Sequence, residues 1–169
     1  MLTLDLPRLE REWALSFEAS IPSDDPLWDD SGLAFDGDLV VEVHASVAGT
    51  GEFVVRTQVD ATRLAECRRC LKTLRLPIRR EFVWVFGEPE EDGEEGSGLR
   101  PVAADAISID LGSVLREDLI LELDRWEVCG PECKGLCPHC GANRNESTCD
   151  CSPDESDPRW DALRALKSE

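Results

Sequence analysis

The sequence predicts an α+β fold in which an antiparallel β-meander carries one packed helix and ends in a C-terminal cysteine-rich zinc module. Alternating apolar residues recur in segments separated by glycine-containing turns, a pattern typical of antiparallel hairpins. One later segment has helical apolar spacing behind a capping residue. Six of the eight cysteines fall between Cys129 and Cys151, which indicates a metal-bound extension of one core.

The N-terminal part of the chain combines short apolar patches with an acidic loop. Two alternating patches each predict a strand. They consist of Leu2, Leu4 and Leu6, and of Trp13, Leu15 and Phe17. Residues 22–38 are rich in proline, aspartate and glycine, and this composition predicts a loop.

A first hairpin is predicted over residues 39–59. Residues 39–47 alternate between apolar and polar side chains, Gly49 and Gly51 provide a turn, and residues 53–59 repeat the alternation. His44 falls on the polar face beside Glu42. We expect this histidine to be a surface residue rather than a metal ligand, because no second type of ligand lies near it.

Cys67 and Cys70 are predicted to form the tip of a second hairpin. Pro77 follows within the second strand and indicates that this strand lies at an edge or carries a bulge, because proline cannot donate to a β-ladder. The apolar residues that alternate after the cysteine pair are Leu74, Leu76, Ile78, Phe82, Trp84 and Phe86.

Two helices are predicted in the C-terminal part. Asp110 or Ser113 caps the first, which runs to about Leu123. Asp157 and Pro158 have the order of a helix cap followed by proline at the first helical position. The apolar residues of this last short helix are Trp160, Leu163 and Leu166.

The length of 169 residues favours one core domain with a metal-bound extension. We expect a β-rich core over residues 1–127, with acidic loops at 22–38 and 88–98. Residues 128–169 are expected to form the cysteine-rich zinc-binding segment and the short C-terminal helix, packed on that core. The sequence begins with no secretion leader and contains no stretch long enough to span a bilayer, which predicts a cytoplasmic protein with no membrane contact.

Charge is distributed unevenly. The formal net charge is −18, yet residues 56–80 contain eight basic and two acidic residues, for a net +6, while the remainder has 10 basic and 34 acidic residues, for −24. The basic residues form either a solvated strand face paired with nearby acids or a patch that faces phosphate groups. The acidic remainder instead favours a basic partner protein. The tentative RNA-binding residues are Arg68, Arg69, Lys72, Arg75, Arg79 and Arg80.

The cysteines have the spacing of zinc ligands. Cys67/Cys70 and Cys137/Cys140 are each separated by two residues, which places both sulfurs on one side of a loop. Gly141 can adopt positive φ in the turn after the second of these pairs. The candidate metal ligands are Cys67, Cys70, Cys129, Cys133, Cys137, Cys140, Cys149 and Cys151.

Eight cysteines suffice for two structural zinc ions, and three groupings are open. The shortest closure joins 137/140 with 149/151 and leaves 67/70 for 129/133, since the cost of closure grows with loop length. A second grouping joins 129/133 with 149/151 and leaves 67/70 for 137/140. The third leaves one pair empty, so the expected number of zinc ions is one or two.

Other chemistries for these cysteines are less favoured by the sequence. Disulfides require an oxidising compartment, whereas the predicted compartment is the cytoplasm. A thioredoxin-like role for Cys67 and Cys70 requires a βαβ context that the pattern does not provide. No set of side chains has the pattern of a catalytic site or of a phosphate-cradling loop. The sequence therefore predicts a protein that is not an enzyme and has no small-molecule substrate.

Five blocks of residues occur in one order over most of the chain. They are Glu66-Cys67-Arg68-Arg69-Cys70, Asp118-Leu-Ile-Leu-Glu-Leu123, Cys129-x3-Cys133-Lys-Gly-Leu-Cys137-Pro-x-Cys140-Gly141-x-Asn143, Cys149-x-Cys151, and Asp157-Pro-Arg-Trp160 with Leu163 and Leu166. This combination resembles the YceD family of large ribosomal RNA subunit accumulation proteins. The resemblance implies a role in the accumulation or maturation of large-subunit ribosomal RNA in bacteria or plastids, and it supplies no catalytic residue.

The expected function is a non-enzymatic factor for the accumulation or maturation of large-subunit (23S) ribosomal RNA in the bacterial cytoplasm. It would act by binding the rRNA precursor or a basic large-subunit ribosomal protein. The alternatives are a cytosolic thiol redox protein and a zinc-dependent nucleic-acid-binding regulatory protein.

Overall fold

The structure is a computed structural model, and it describes residues 2–49, 51–88, 98–103 and 105–151. In these ranges the chain forms eight strands and two α-helices. Their order is β1 (Thr3–Asp5), α1 (Leu6–Glu12), β2 (Ala14–Ile21), β3 (Ala34–Phe35), β4 (Leu39–Ala48), β5 (Glu52–Glu66), β6 (Thr73–Gly87), β7 (Leu99–Pro101), β8 (Ser108–Asp110) and α2 (Leu111–Glu122). No helix within the described ranges is both long and apolar enough to cross a membrane.

The main sheet is the predicted antiparallel meander with additions at its edges. Its strand order is β2-β4-β5-β6-β7, and β3 also pairs with β5. The pairings from β2 to β6 are antiparallel, whereas β7 pairs with β6 in parallel. Strands β1 and β8 form a separate two-stranded antiparallel sheet. The predicted fold class is confirmed.

The hairpin of β5 and β6 extends beyond its neighbours. On one side of β5, strand β4 pairs only as far as Asp60, and β3 adds two further residues. On the other side, β6 remains paired to Glu66 without interruption. Pro77 lies opposite Thr62, and β7 contacts β6 only at residues 85–87, so Pro77 occupies an edge within the described sheet, as predicted. The two cysteines at the tip therefore project from a long, regular hairpin.

The core forms where one face of the main sheet meets both helices and the small sheet. The alternation predicted for β4 is observed, since Leu39, Val41 and Val43 are fully buried. Helix α2 begins at its cap Asp110, as predicted, and buries Leu111, Leu115 and Leu119. Burying apolar side chains of this size contributes about 1.5–3 kcal/mol each. This packing fixes the end of α2 relative to the hairpin tip.

The N-terminal region differs from the sequence-based expectation. The two apolar patches at residues 2–6 and 13–17 were each expected to form a strand. Helix α1 instead occupies Leu6–Glu12 between strands β1 and β2. Asp5 caps this helix by accepting a hydrogen bond from the Arg8 N–H, and Pro7 lies in its first turn. Trp13 ends the helix with φ 65° and its side chain is 71% exposed, so it is not part of a strand face. The Asp-x-Pro order was the signal for this helix.

The predicted acidic loop at residues 22–38 contains more structure than its composition suggests. Pro26–Trp28 forms a 3-10 turn, and Ala34–Phe35 forms β3. The buried rings of Trp28 and Phe35 meet edge to face with centroids 4.9 Å apart, which anchors the segment to the core. Most of the second acidic loop, at 88–98, lies outside the described residues, as does the helix predicted after Asp157.

Asp118 joins α2 to the sheet, and its removal is expected to destabilise the protein. Its carboxylate accepts hydrogen bonds from Trp84 Nε1 and Arg100 Nη2, both at 2.6 Å, and is 19% exposed. Asp118→Ala is expected to lower the free energy of unfolding by about 1–3 kcal/mol, because two partly buried donors lose their acceptor. Denaturant unfolding measures this change.

Glu117→Ala provides the matched control for that prediction. Glu117 also bonds Arg100, at 2.8 Å, but its side chain is 60% exposed. Its loss is expected to cost no more than about 1 kcal/mol, as for an exposed ion pair. Equal losses in the two variants would contradict the assignment of Asp118 as the link between α2 and the sheet.

Candidate metal centres

The tip of the β5–β6 hairpin presents the first two cysteines. The Cys67 N–H donates to the Lys72 carbonyl, and the Leu71 N–H donates to the Cys67 carbonyl, both at 2.9 Å. Leu71 adopts φ 58°, which turns the chain back into β6. This tight turn buries both Cys67 and Cys70 and directs their sulfurs to one side.

Cys129 and Cys133 complete the first cluster from the segment that follows α2. The Cys67 and Cys133 sulfurs are 3.8 Å apart, and the Cys70 and Cys129 sulfurs are 3.7 Å apart. A tetrahedral site with Zn–S bonds of about 2.3 Å has sulfur separations of about 3.8 Å. A disulfide requires about 2.0 Å, and all eight cysteines are free. The donor set and its spacing therefore fit a four-thiolate metal site.

Arginine side chains hold the segment after α2 against the hairpin. Arg63 Nη1 donates to the Asp124 carbonyl at 2.7 Å. Arg68 donates its backbone N–H to the Glu127 carbonyl and its Nε to the Arg125 carbonyl, both at 2.9 Å. These bonds to three carbonyls fix the linker, defined as residues 124–127, along the end of β5. Cys129 follows the linker and is thereby placed at the hairpin tip.

Arg69 and Gly135 interlock the hairpin with the cysteine-rich segment. Arg69 Nη1 donates to the Cys133 carbonyl at 3.1 Å, and the Arg69 carbonyl accepts from the Leu136 N–H at 2.9 Å. Gly135 has φ 70°, and a Cβ atom there would lie 2.9 Å from the Arg69 carbonyl oxygen. Only glycine fits this position without displacing backbone.

The second cluster is local and contains Cys137, Cys140, Cys149 and Cys151, whose sulfurs all lie within 4.8 Å of one another. The Gly141 N–H donates to the Cys137 carbonyl at 2.9 Å, and Gly141 has φ 71°, as its expected role in the turn requires. The structure thus brings the eight cysteines together in the first of the three groupings. None of these four lies on a strand of the main sheet.

Asn145 connects the two clusters and was not identified from the sequence. Its side-chain oxygen accepts from the Lys134 N–H at 2.8 Å, and its amide nitrogen lies 3.5 Å from the Cys133 sulfur as a donor. An N–H group directed at a thiolate helps to retain the charged form. Asn145 belongs to a loop between the ligands of the second cluster, so each cluster helps to shape the other.

Backbone N–H groups lower the pKa of at least one cysteine in each cluster. Burial raises the pKa of Cys67, but N–H groups of Cys129, Cys70 and Arg69 outweigh burial and lower this pKa to about 6. In the second cluster, N–H groups of Cys140 and His139 lower the pKa of Cys137 to about 6. Each cluster therefore contains a sulfur that is largely ionised at neutral pH.

In each cluster another cysteine has a raised pKa, because a neighbouring sulfur opposes its ionisation. The neighbouring Cys133 sulfur raises the pKa of Cys129 to about 12. The Cys140 sulfur likewise raises the pKa of Cys151 to about 12. Four sulfurs this close repel one another as thiolates, and a divalent cation removes that repulsion. Both cysteine clusters can hold metal ions.

The tentative RNA-binding residues divide into two sets. Arg75, Arg79 and Arg80 lie on β6 and form ion pairs, with Asp36, Asp60 and Glu122 respectively. Arg68 and Arg69 have no carboxylate partner among the described residues, and neither does Lys72; all three lie at the hairpin tip. The solvated-face interpretation thus fits the three residues of β6, whereas unpaired positive charge remains at the tip.

The longest hairpin of the β-meander ends in one four-cysteine cluster, and a second four-cysteine cluster is formed by the following segment. Four cysteines are the ligand set of structural zinc sites. The fold and site thus define a β-sheet protein with two candidate structural metal centres. The sequence model of the family described as "Large ribosomal RNA subunit accumulation protein YceD" matches residues 55–167. The chain belongs to the YceD family. The matched region includes all of the β5–β6 hairpin after its first three residues, and it contains all eight cysteines.

Relatives from bacteria and plants agree with this assignment. An uncharacterized protein of Mycobacterium tuberculosis is 32% identical over 181 residues, covering 96% of this chain and 79% of the relative. The chloroplastic YCED homolog 1 of Arabidopsis thaliana, described as a large ribosomal RNA subunit accumulation protein, is 29% identical over 53% of this chain and 31% of its own length. The homolog 1 of Zea mays is 48% identical over 38% of this chain and 22% of its own length. No solved structure matches.

Serine substitutions are expected to separate the two centres. Cys67→Ser/Cys70→Ser should remove one metal equivalent and destabilise the whole sheet, because the cysteine-rich segment then loses the metal link that joins it to the hairpin. Cys149→Ser/Cys151→Ser should remove the other equivalent with a smaller effect on the sheet. Elemental analysis under reducing conditions and thermal unfolding provide the measurements. Retention of both equivalents in either variant would refute this assignment.

Gly135→Ala is expected to release metal from the first cluster, because the added Cβ displaces the Arg69 carbonyl and the strained φ opposes the turn. Gly130→Ala is the control, since a Cβ there meets no atom within 4 Å. Competition with a chromogenic chelator would measure metal affinity in both variants. Equal affinities would show that the close approach at Gly135 is not required.

Proposed function

We propose that this chain is a non-enzymatic factor for the accumulation or maturation of large-subunit (23S) ribosomal RNA in the bacterial cytoplasm. The observation that carries the proposal is membership of the YceD family, which is described as a family of large ribosomal RNA subunit accumulation proteins. The described structure supports a scaffold role, because its most distinctive groups are thiols arranged for metal binding.

We further propose one zinc ion in each cysteine cluster, with a structural role. When bound, zinc supplies a cation that neutralises the thiolates and links their backbone segments. The first cluster would hold it with Cys67, Cys70, Cys129 and Cys133, and the second would use the remaining four. Four thiolates complete a tetrahedral shell, so no position remains for a substrate. A thiol redox function would instead require some of the eight cysteines to remain reactive toward thiol reagents in the metal-loaded protein.

The cysteine-rich segment, residues 128–169, is proposed to act as a unit docked on the core over residues 1–127. Among the described residues, the contacts that support this division lie at the hairpin tip. They are the approaches of Cys67 to Cys133 and of Cys70 to Cys129, and the bonds between Arg69 and the cysteine-rich segment. In this arrangement zinc holds the two parts together.

Direct contact with rRNA is the partner mode that we favour. The tip residues Arg68, Arg69 and Lys72 supply positive charge without a carboxylate partner among the described residues. Arg75, Arg79 and Arg80 could add phosphate contacts only by exchanging their exposed ion pairs, which cost little to break. The hairpin tip is therefore the proposed centre of contact.

Binding of a basic large-subunit ribosomal protein is the second candidate mode, and one observation favours it. Glu18, Glu42 and Glu81 fall in a single cross-strand row on the exposed face of the sheet, with Gln58 between the last two. Like charges directly opposite one another destabilise a sheet. A cationic protein surface would relieve this repulsion.

Loss of the protein is expected to reduce mature 23S rRNA relative to 16S rRNA in the bacterial host. Quantification of both rRNAs after depletion tests this, with the wild-type chain as rescue and the Cys67→Ser/Cys70→Ser variant as a chain expected to fail. Ultraviolet crosslinking in cells distinguishes the modes, because direct contact yields 23S fragments attached to this chain. An unchanged 23S to 16S ratio after depletion would contradict the proposed function.

A further inference from the structure

A cavity of about 520 Å³ lies beside the first cysteine cluster. It forms because β3 pairs with β5 only at residues 63 and 64, so the edge of β5 beyond Leu64 has no strand on that side within the described sheet. The linker, residues 124–127, contributes Arg125 and Glu127 to the wall, and the hairpin tip contributes Arg68 and Leu71. The cavity is thus built from the three elements that the arginine bonds hold together.

Arg63 lines this cavity and is a buried cation with no counter-ion among the described residues. Its residue exposure is 7%, and its Nε has no hydrogen-bond partner within the described structure. Among the described residues, the Arg63 side chain donates one hydrogen bond, to the Asp124 carbonyl. No described carboxylate lies within ion-pair distance of its guanidinium group. A buried unpaired charge is costly, and arginine cannot lose its proton to avoid the cost. An anionic group in the cavity would stabilise this guanidinium.

Two further guanidinium groups join Arg63 in the lining of the cavity. Arg68 and Arg125 add two guanidinium groups, while Glu66 and Glu127 add two carboxylates. Cys67 also lines the cavity. The positive charge of the lining is therefore concentrated on the three guanidinium groups of Arg63, Arg68 and Arg125 rather than expressed as a net excess. Guanidinium groups bind phosphate oxygens through paired, charge-assisted hydrogen bonds, so this cluster suits a phosphodiester.

The rim consists of Leu71, which lines the cavity, and of Trp126, which lies between the lining residues Arg125 and Glu127 in the chain and contacts the lining residue Arg68. Trp126 is 73% exposed, and the Arg68 guanidinium carbon lies 4.7 Å from its ring centroid. This cation–π contact fixes the orientation of the indole ring while most of the side chain stays in solvent. Leu71 at the hairpin tip is also exposed. Basic residues interleaved with an exposed aromatic ring are the chemistry with which proteins bind single-stranded nucleic acid.

We propose that this cavity and its rim bind a segment of single-stranded RNA. Arg63, Arg68 and Arg125 would face one phosphodiester, and Trp126 would stack against an adjacent base. This inference rests on the proposed rRNA function, and it adds Arg63, Arg125 and Trp126 to Arg68, which was already an RNA-binding candidate from the sequence. Arg125 and Trp126 precede the first cysteine of the cysteine-rich segment, a position that could have drawn attention to them.

The test uses the full-length chain with verified metal content and a fluorescein-labelled single-stranded 12-nucleotide oligouridylate. The variant Arg125→Ala/Trp126→Ala removes one cation and the stacking ring but none of the linker carbonyls that Arg63 and Arg68 bind. We expect the dissociation constant, measured by fluorescence anisotropy, to rise at least tenfold. We expect the metal content and the unfolding midpoint to stay unchanged.

Arg11→Ala/Trp13→Ala is the matched control. Its tryptophan is 71% exposed and its arginine side chain 72% exposed, close to the exposure of Trp126, but both lie at the end of α1. The control is expected to bind the oligonucleotide as the wild-type chain does. Ultraviolet crosslinking and peptide mapping of the wild-type complex are expected to locate RNA adducts on residues 124–128.

Three results would overturn the proposed site. They are an absence of oligonucleotide binding by the wild-type chain, equal weakening in both double variants, and a preference for an acidic oligopeptide over RNA. None of these bears on the rRNA level after depletion, so the site can fail while the proposed function stands. Conversely, an unchanged 23S level after depletion refutes the function even if the oligonucleotide binds at this cavity.

Discussion

The structure depends on the meeting of two cysteine pairs that are far apart in the sequence. Cys67 and Cys133 are separated by 66 positions, yet their sulfurs lie 3.8 Å apart, and Cys70 and Cys129 are equally close. Four sulfurs at this spacing cannot all ionise without a cation, because their mutual repulsion raises the pKa of some of them. A bound cation would therefore replace repulsion among these four sulfurs with metal–sulfur bonds that join the hairpin tip to the cysteine-rich segment.

The arginines near this contact explain why charge alone was an ambiguous guide. Arg63, Arg68 and Arg69 use their guanidinium groups to bind carbonyls of the linker and of the cysteine-rich segment. Those on β6 pair with carboxylates instead. Arginine suits the first task because its planar group carries five donors and stays charged in partly buried surroundings. A basic stretch in the sequence thus divides into structural clamps, surface ion pairs and residues still available to a ligand.

The extent of successful prediction follows from how local each signal is. The alternation in β4 and the capped start of α2 are encoded within a few residues, and the structure agrees with both. Local closure favoured the observed cysteine grouping, because the second cluster uses only one short stretch, but the sequence left two other groupings open. Helix α1 was missed because apolar alternation outweighed the Asp5 cap, and β3 was missed because burial of Trp28 and Phe35 depends on distant partners. The linker contacts and the cavity could not be predicted, because they exist only once α2 has packed on the sheet.

Metal binding and the proposed RNA surface are coupled through Arg68. Its N–H and Nε bind the linker, its guanidinium covers one face of Trp126, and it follows the ligand Cys67 directly. Release of the metal would leave these hydrogen bonds as the main attachment of the linker, with about 0.5–1.5 kcal/mol from the backbone N–H and about 1.5–3 kcal/mol from the charged Nε. The cavity wall and the orientation of Trp126 would then be held less firmly. Metal binding at the first cluster would therefore also fix the linker residues that would contact a nucleotide. The metal ligands themselves need not touch the RNA.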